Sequence, residues 1–178
     1  MDIYKLKWTV LQLEIFSLLC LKAGEKLSQR EIALILKVSP TAVANSIESL
    51  KDSNLINVEK TKTINFISFN RDEPKAIELK RVENLKNIYL SGLFNYLKKE
   101  LAGATIILFG SYSFGEDTIT SDIDIAIIER SNKNLHLEPY EKTLNRKINL
   151  NFYKSWNLIH KHLKNNILNG ILLAGSIE

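Results

Sequence analysis

Sulfur and imidazole are scarce in this chain: its 178 residues include one cysteine and three histidines. A single thiol, Cys20 in an apolar stretch, excludes an internal disulfide and a thiolate zinc set, and reads as packing. His136, His160 and His162 form no ligand motif. The last two are expected on different sides of a helix running from Trp156 to Leu168, as surface residues, with Trp156, Leu163 and Ile167 on its buried side. Low-complexity tracts and internal repeats are missing as well. The N-terminus has no cationic region followed by a clean apolar stretch and cleavage site, and Val10 to Leu21 is broken by Gln12, Glu14 and Ser17. Secretion and membrane spanning are therefore not indicated, and a cytoplasmic protein is expected. A strong charge surplus is also lacking, because the net charge is +4.

The composition that remains, 45% hydrophobic, suffices for packed cores. The length fits two small domains and a connecting helix, with expected boundaries 1–73, 74–102 and 103–178. Helix starts in the first part follow from capping chemistry. Thr9 to Gln12 and Ser28 to Glu31 fit the S/T-x-x-E/Q box, and Ser39-Pro40 sets a cap before a first-turn proline. The helices carry Leu11, Ile15, Leu18 and Leu19, then Ile32, Ile35 and Leu36, then Val43, Ile47 and Leu50 at half-buried helical spacing. Two strand-like runs, Leu55 to Val58 and Thr63 to Ile67, follow around the polar Glu59-Lys60-Thr61-Lys62.

This order of helices, turn and hairpin resembles a winged helix-turn-helix over residues 5 to 70. The resemblance implies DNA binding, with the third helix in the major groove and the hairpin along the backbone. Thr41, Asn45, Ser49 and Lys51 are the expected contacts on the helix, with Lys60 and Lys62 on the wing. Residues 1 to 73 hold ten Lys/Arg against nine Asp/Glu. Lys37, Lys51, Lys60 and Lys62 would neutralise about four phosphates, short of a tight binder. A protein-interaction or dimerisation module is the alternative reading of the same surface.

From Pro74 an amphipathic run is expected to form one long helix, with Ile77, Val82, Leu85, Tyr89, Leu93, Tyr96 and Leu97 on its apolar side, a bend at Ser91-Gly92 and an end at Gly103. The stripe reads as core or a homodimer seam. Its polar side, with six Lys/Arg against three Glu over residues 74 to 102, is basic.

The chemistry-bearing segment comes next. A strand-like run, Ala104 to Phe109, leads into Gly110-Ser111, and ten residues later Ser121-Asp122-Ile123-Asp124 opens a second run. In a strand, residues two apart share a face, so Asp122 and Asp124 point one way while Ile123, Ile125 and Ile127 enter a core. Paired carboxylates call for a cation, and oxygen-liganded Mg²⁺ or Mn²⁺ suits them. Gly110 lets backbone approach a ligand closely, and Ser111 brings a hydroxyl for phosphate.

At these residues the chain resembles the nucleotidyltransferase domain of the DNA polymerase beta superfamily in its minimal form, over about residues 103 to 178. The resemblance implies a mixed sheet with flanking helices and a nucleoside triphosphate, expected to be ATP, bound through metal ions. Gly110, Ser111 and Ser121 would hold the nucleotide, while Asp122 and Asp124 hold the metal and carry catalysis. A third acid belongs on a neighbouring strand, where Lys147 to Phe152 places Asn149 instead. Asn offers a carbonyl lone pair but no charge, so triphosphate and one metal are expected to bind while transfer is slow, restricted or absent. Glu116 and Asp117 are candidate substitutes, with the solvated-surface reading favoured for both.

The sequence thus predicts an α+β protein: an N-terminal winged helix-turn-helix, a long connecting helix and a C-terminal nucleotidyltransferase mixed sheet. The expected reaction moves AMP from ATP to a macromolecular hydroxyl, a partner protein being one acceptor, with no membrane partner. The alternative is a DNA-binding transcriptional regulator whose nucleotidyltransferase domain is a weak or inactive nucleotide sensor.

Overall fold

The computed structural model describes residues 8–177, and the chain divides into two compact units, Met1–Lys80 and Arg81–Glu178. The first unit contains α1 (Val10–Leu21), β1 (Leu27–Ser28), α2 (Gln29–Leu36), α3 (Pro40–Asp52), β2 (Ile56–Lys60) and β3 (Asn65–Phe69), followed by the start of α4 (Pro74–Leu90). Local chemistry sets its helix ends. Thr9 and Gln12, and Ser28 and Glu31, form reciprocal capping boxes, and the Ser39 hydroxyl accepts from the Ala42 N–H ahead of α3. The two backbone amides that receive the Ser28–Glu31 box would otherwise lack intrahelical acceptors. Ser28 also holds the Glu31 carboxyl below its usual range, through hydrogen bonds from the Ser28 backbone and then its hydroxyl.

Val43, Ile47 and Leu50 of α3 are buried against Ile15, Phe16, Leu19 and Ile32. The antiparallel sheet runs β1-β3-β2, with Val58 opposite Ile67 and Lys60 opposite Asn65. The two-residue β1 has no signal in sequence, being too short to show a period. On α2 the expected face needs correction. Ile32 and Ala33 are buried, whereas Ile35 is 47% and Leu34 80% exposed. An eight-residue helix packed along one narrow stripe cannot cover apolar residues on its flanks.

The second unit adds α5 (Leu93–Glu100), β4 (Thr105–Phe109), α6 (Gly110–Phe114), β5 (Ile123–Ile128), α7 (Glu138–Leu144), β6 (Ile148–Tyr153), a 3-10 turn (Trp156–Leu158), α8 (Lys161–Leu168) and β7 (Ile171–Ala174). Its sheet is mixed, in the order β6-β5-β4-β7, with β5 and β6 parallel and the other pairs antiparallel. One face buries Ile106, Leu108, Ile123, Ile125 and Ile127 against Ile88, Leu93 and Leu97. The other buries Ile107, Phe109, Ala126 and Ile128 against Ile159 and Ile167, with Trp156 and Leu163 alongside.

The single long helix expected over 74–102 is two helices. Gly92 adopts φ +79 and sits as the N-cap of α5, a left-handed conformation that ends α4 at low cost only because the residue lacks a Cβ. The apolar period of α4 also misplaces its inner face: the buried positions are Ala76, Lys80, Asn84 and Ile88, whereas Val82 and Tyr89 are exposed. Lys80 is 0% exposed, its ammonium buried with its stem, and Asn84 is hydrogen-bonded, so two polar residues lie on the inner stripe. Similarly, Trp156 to Leu168 is a 3-10 turn and a separate α8, and the His160 and His162 rings lie 5.4 Å apart on one side of it.

Candidate active site

Three strand ends converge at one end of the mixed sheet. Gly110 directly follows β4, Asp122 directly precedes β5, and Asn149 is the second residue of β6. The register makes them neighbours, because Asp124 pairs with Phe109 on one side and with Asn149 on the other. Strand alternation sends Ile123 and Ile125 into the core and leaves the acids on the opposite face.

The Asn149 side chain binds both acids, its Nδ2 donating to Asp122 Oδ2 at 3.2 Å and to Asp124 Oδ1 at 3.2 Å. Two carboxylate oxygens therefore point at one place. Carboxylates only accept, so the amide must turn its N–H₂ toward them. Gly110 lies against the same acid: it has φ +73, and a Cβ there would stand 3.0 Å from Asp124 Oδ2. Backbone closeness of that kind, beside oxygens that share a focus, fits an oxygen-liganded divalent ion. Asp122 and Asn149 are exposed, and Gly110, Ser111 and Asp124 are half-buried, so the site opens to solvent. Among the described residues no group of three His, Cys, Asp or Glu gathers at a metal-binding spacing.

Ser121 acts locally, its hydroxyl accepting from the Thr118 N–H at 3.0 Å and so closing the turn before Asp122. Glu116 is exposed. Asp117 is not a solvated acid, contrary to the sequence expectation. It is 1% exposed, receives the Asn84 amide at 2.6 Å and pairs with Arg146 at 3.6 Å. Asn84 also donates to the Tyr112 carbonyl at 2.9 Å. Neither Asp117 nor Glu116 is therefore presented beside Asp122 and Asp124 as a third acid. Asp117 instead fixes the loop leading to Asp122, with Arg146 and Asn84 as partners. The only sequence signal for this set was an unexplained Asn and Arg in otherwise ordinary segments.

Tyr112, in the same buried group, has its hydroxyl pushed well above the ordinary phenol range, by burial first and then by the negative charge of Asp117. The unfolded tyrosine ionises near pH 10 while the folded one stays protonated, so above that pH the unfolded chain binds fewer protons and stability falls as pH rises. Urea unfolding of the wild type should lose about 1.4 kcal/mol per pH unit more than Tyr112→Phe above about pH 10. Equal slopes for the two proteins would reject that assignment.

In the first unit, Thr41, Asn45 and Lys51 are exposed on α3 and Ser49 is half-buried beside them, with Glu48 and Asp52 on the same helix. Lys60 ends β2 and Lys62 stands in the turn to β3, where Thr61 donates its hydroxyl to the Ile64 carbonyl at 2.7 Å. A cleft of about 480 Å³ lies between this turn and the start of α2, lined by Ser28, Gln29, Arg30 and Thr61 to Asn65. Arg30 is the cation that the sequence reading missed, since nothing local ties it to the hairpin.

Residues 90–173 match the family model described as nucleotidyltransferase domain. That range contains Gly110, Ser111, Asp122, Asp124 and Asn149, and a nucleotidyltransferase domain is accordingly present in the second unit. Two solved structures, both of variants of Lactococcus lactis ZitR, are similar to part of the chain at 21% identity, with TM-scores of 0.40 and 0.41. Each alignment covers 54% of this chain and 64% of the other, so this chain spans less than two thirds of their length. No curated protein matches the chain. No helix among the described residues is long and apolar enough to cross a membrane.

Proposed function

We propose that the second unit binds a nucleoside triphosphate with Mg²⁺ and transfers its nucleoside monophosphate, AMP from ATP, to a macromolecular hydroxyl, with pyrophosphate leaving as the α–β phosphoanhydride bond breaks and the hydroxyl proton passing to solvent. The observation that carries this reading is the convergence of the Asp122 and Asp124 oxygens beside the Gly110 backbone. Asp122 and Asp124 would hold the ion, and Gly110 and Ser111 would receive the phosphate tail. The ion supplies charge stabilisation for the transferring phosphoryl group and acidifies the attacking hydroxyl. The chain itself contributes positioning: the buried Asp117, Arg146 and Asn84 fix the approach to Asp122, and the Ser121 hydroxyl closes its last turn. Incubation with Mg²⁺, α-labelled ATP and cell extract tests the reading. Label on a macromolecule, lost with Asp122→Ala, supports it, and absence of both labelling and nucleotide binding rejects it.

We further propose that the helices and hairpin of the first unit act as a winged helix-turn-helix on DNA. Asn45, exposed on α3, and the half-buried Ser49 would be offered to base edges, and Lys60 and Lys62 of the wing, with Arg30 across the cleft at the start of α2, would meet phosphates. A duplex titrated at several salt concentrations should give a slope of log affinity against log salt that falls by about 1 for Lys62→Ala. An unchanged slope would remove Lys62 from the phosphate contacts. A second reading, a DNA-binding regulator that senses nucleotide without transfer, is favoured by one observation, the Asn149 amide occupying the third-acid position. Tight nucleotide binding with no labelled product would select it.

A further inference from the structure

Two like charges stand side by side on one face at the start of β5, Asp122 just before it and Asp124 within it, and the molecule answers with a neutral donor. The Asn149 amide donates to both acids at equal distances of 3.2 Å, and its backbone is fixed by pairing with Asp124 across the parallel ladder. A carboxamide offers two N–H groups in one plane, so one side chain can serve two carboxylates together. Hydrogen bonds to ionised acceptors are the strong kind. A divalent ion approaching this place has to displace both.

We propose that Asn149 is a built-in stand-in for the cation: it holds Asp122 and Asp124 together in the resting protein, so that a divalent ion enters only in company with a triphosphate. This rests on the nucleotide-binding reading of the same site and adds the order in which its ligands arrive. Charge and ligand count set that order. A free ion would gain two carboxylates while displacing a donor that already compensates their repulsion. An ion carried by a triphosphate arrives with phosphate oxygens in its coordination shell and needs only those two carboxylates from the protein. Metal and nucleotide then raise each other's affinity by the same factor.

Equilibrium dialysis of radioactive Mn²⁺ against the full chain, with and without the non-hydrolysable α,β-methylene-ATP, measures that factor. In the wild type the analogue should raise Mn²⁺ affinity by about 50-fold or more, at the strong end of ordinary coupling, and Mn²⁺ should raise analogue affinity equally. Asn149→Asp replaces the donor with a third anionic ligand. It should bind free Mn²⁺ at least about tenfold more tightly than the wild type, show reduced coupling, and gain thermal stability on adding Mn²⁺ alone, which the wild type should not. Asn149→Ala, which removes the donor without adding charge, should leave the fold intact by circular dichroism and also weaken the coupling.

Wild type binding free Mn²⁺ as tightly as Mn²⁺ with nucleotide, or Asn149→Asp leaving free Mn²⁺ affinity and coupling unchanged, would overturn the stand-in role while the nucleotide site remained. Failure of all three folded proteins to retain the analogue under any condition would overturn the nucleotide reading and the stand-in role together.

Discussion

Asp124→Asn is expected to reduce nucleotidyl transfer by about 10²- to 10³-fold, the scale on which losing a positioned electrostatic group acts on a reaction whose charge develops in the transition state. The substitution keeps side-chain shape and takes away one charge. Asp124 is held on both sides, by Phe109 and Asn149 across the sheet, with the Gly110 backbone against its carboxylate. The backbone should therefore remain in place, and the loss should come from the missing anion. With one carboxylate gone, the pair no longer offers two charged oxygens to a single focus. Glu116→Gln is the matching control: Glu116 is an exposed acid in the loop before β5, and removing its charge should change the rate less than about threefold, since isolated exposed charges contribute little. Rates of label transfer for both variants, beside circular dichroism, decide the matter. Equal losses in the two would mean that the pair has no special role.

The second large effect concerns stability. Arg146→Ala should destabilise the second unit by about 3–5 kcal/mol, because it breaks a buried ion pair by removing one member, the Arg146 guanidinium beside Asp117. Both side chains are 1% exposed, so solvent cannot compensate. Melting should fall by more than about 10 °C, given how a unit of this size converts free energy to temperature. The double variant Asp117→Leu with Arg146→Met should recover much of that loss, since replacing both members of a buried pair by apolar groups is often near neutral. If the single variant melts like the wild type, the pair contributes no stability. Labelling activity in a double variant that has regained its melting temperature then tells whether the pair also positions Asp122, as the loop geometry supports.

The parts of this protein that were legible beforehand share a feature: their signal is carried by neighbours in sequence. Capping boxes at Thr9 and Ser28 need residues three apart. Val43, Ile47 and Leu50 declare a helix face within two turns. Asp122 and Asp124 declare a shared strand face within three residues, and the resemblance to a nucleotidyltransferase domain offered Asn149, in the alternating run from Lys147 to Phe152, as their neighbour. The readings that failed depended on partners far along the chain. Asp117 looked like a surface acid because Arg146, its counter-ion, lies 29 positions away and Asn84 33 in the other direction. The inner face of α4 does not follow its hydrophobic period, because the structure buries Lys80 and Asn84 and leaves Val82 63% exposed.

Sequence by itself determined where helices begin, which strand residues share a face, and which two acids and which glycine–serine turn are the candidates for one site. These follow from backbone periods and capping bonds that close within a few residues. Tertiary structure alone decided that the Asn149 amide grips both acids, that a buried ion pair anchors the loop before them, and which polar residues go inside. Those outcomes rest on strand register and on desolvated charges meeting across long stretches of chain, where the cost of an unpaired buried group outweighs any local preference.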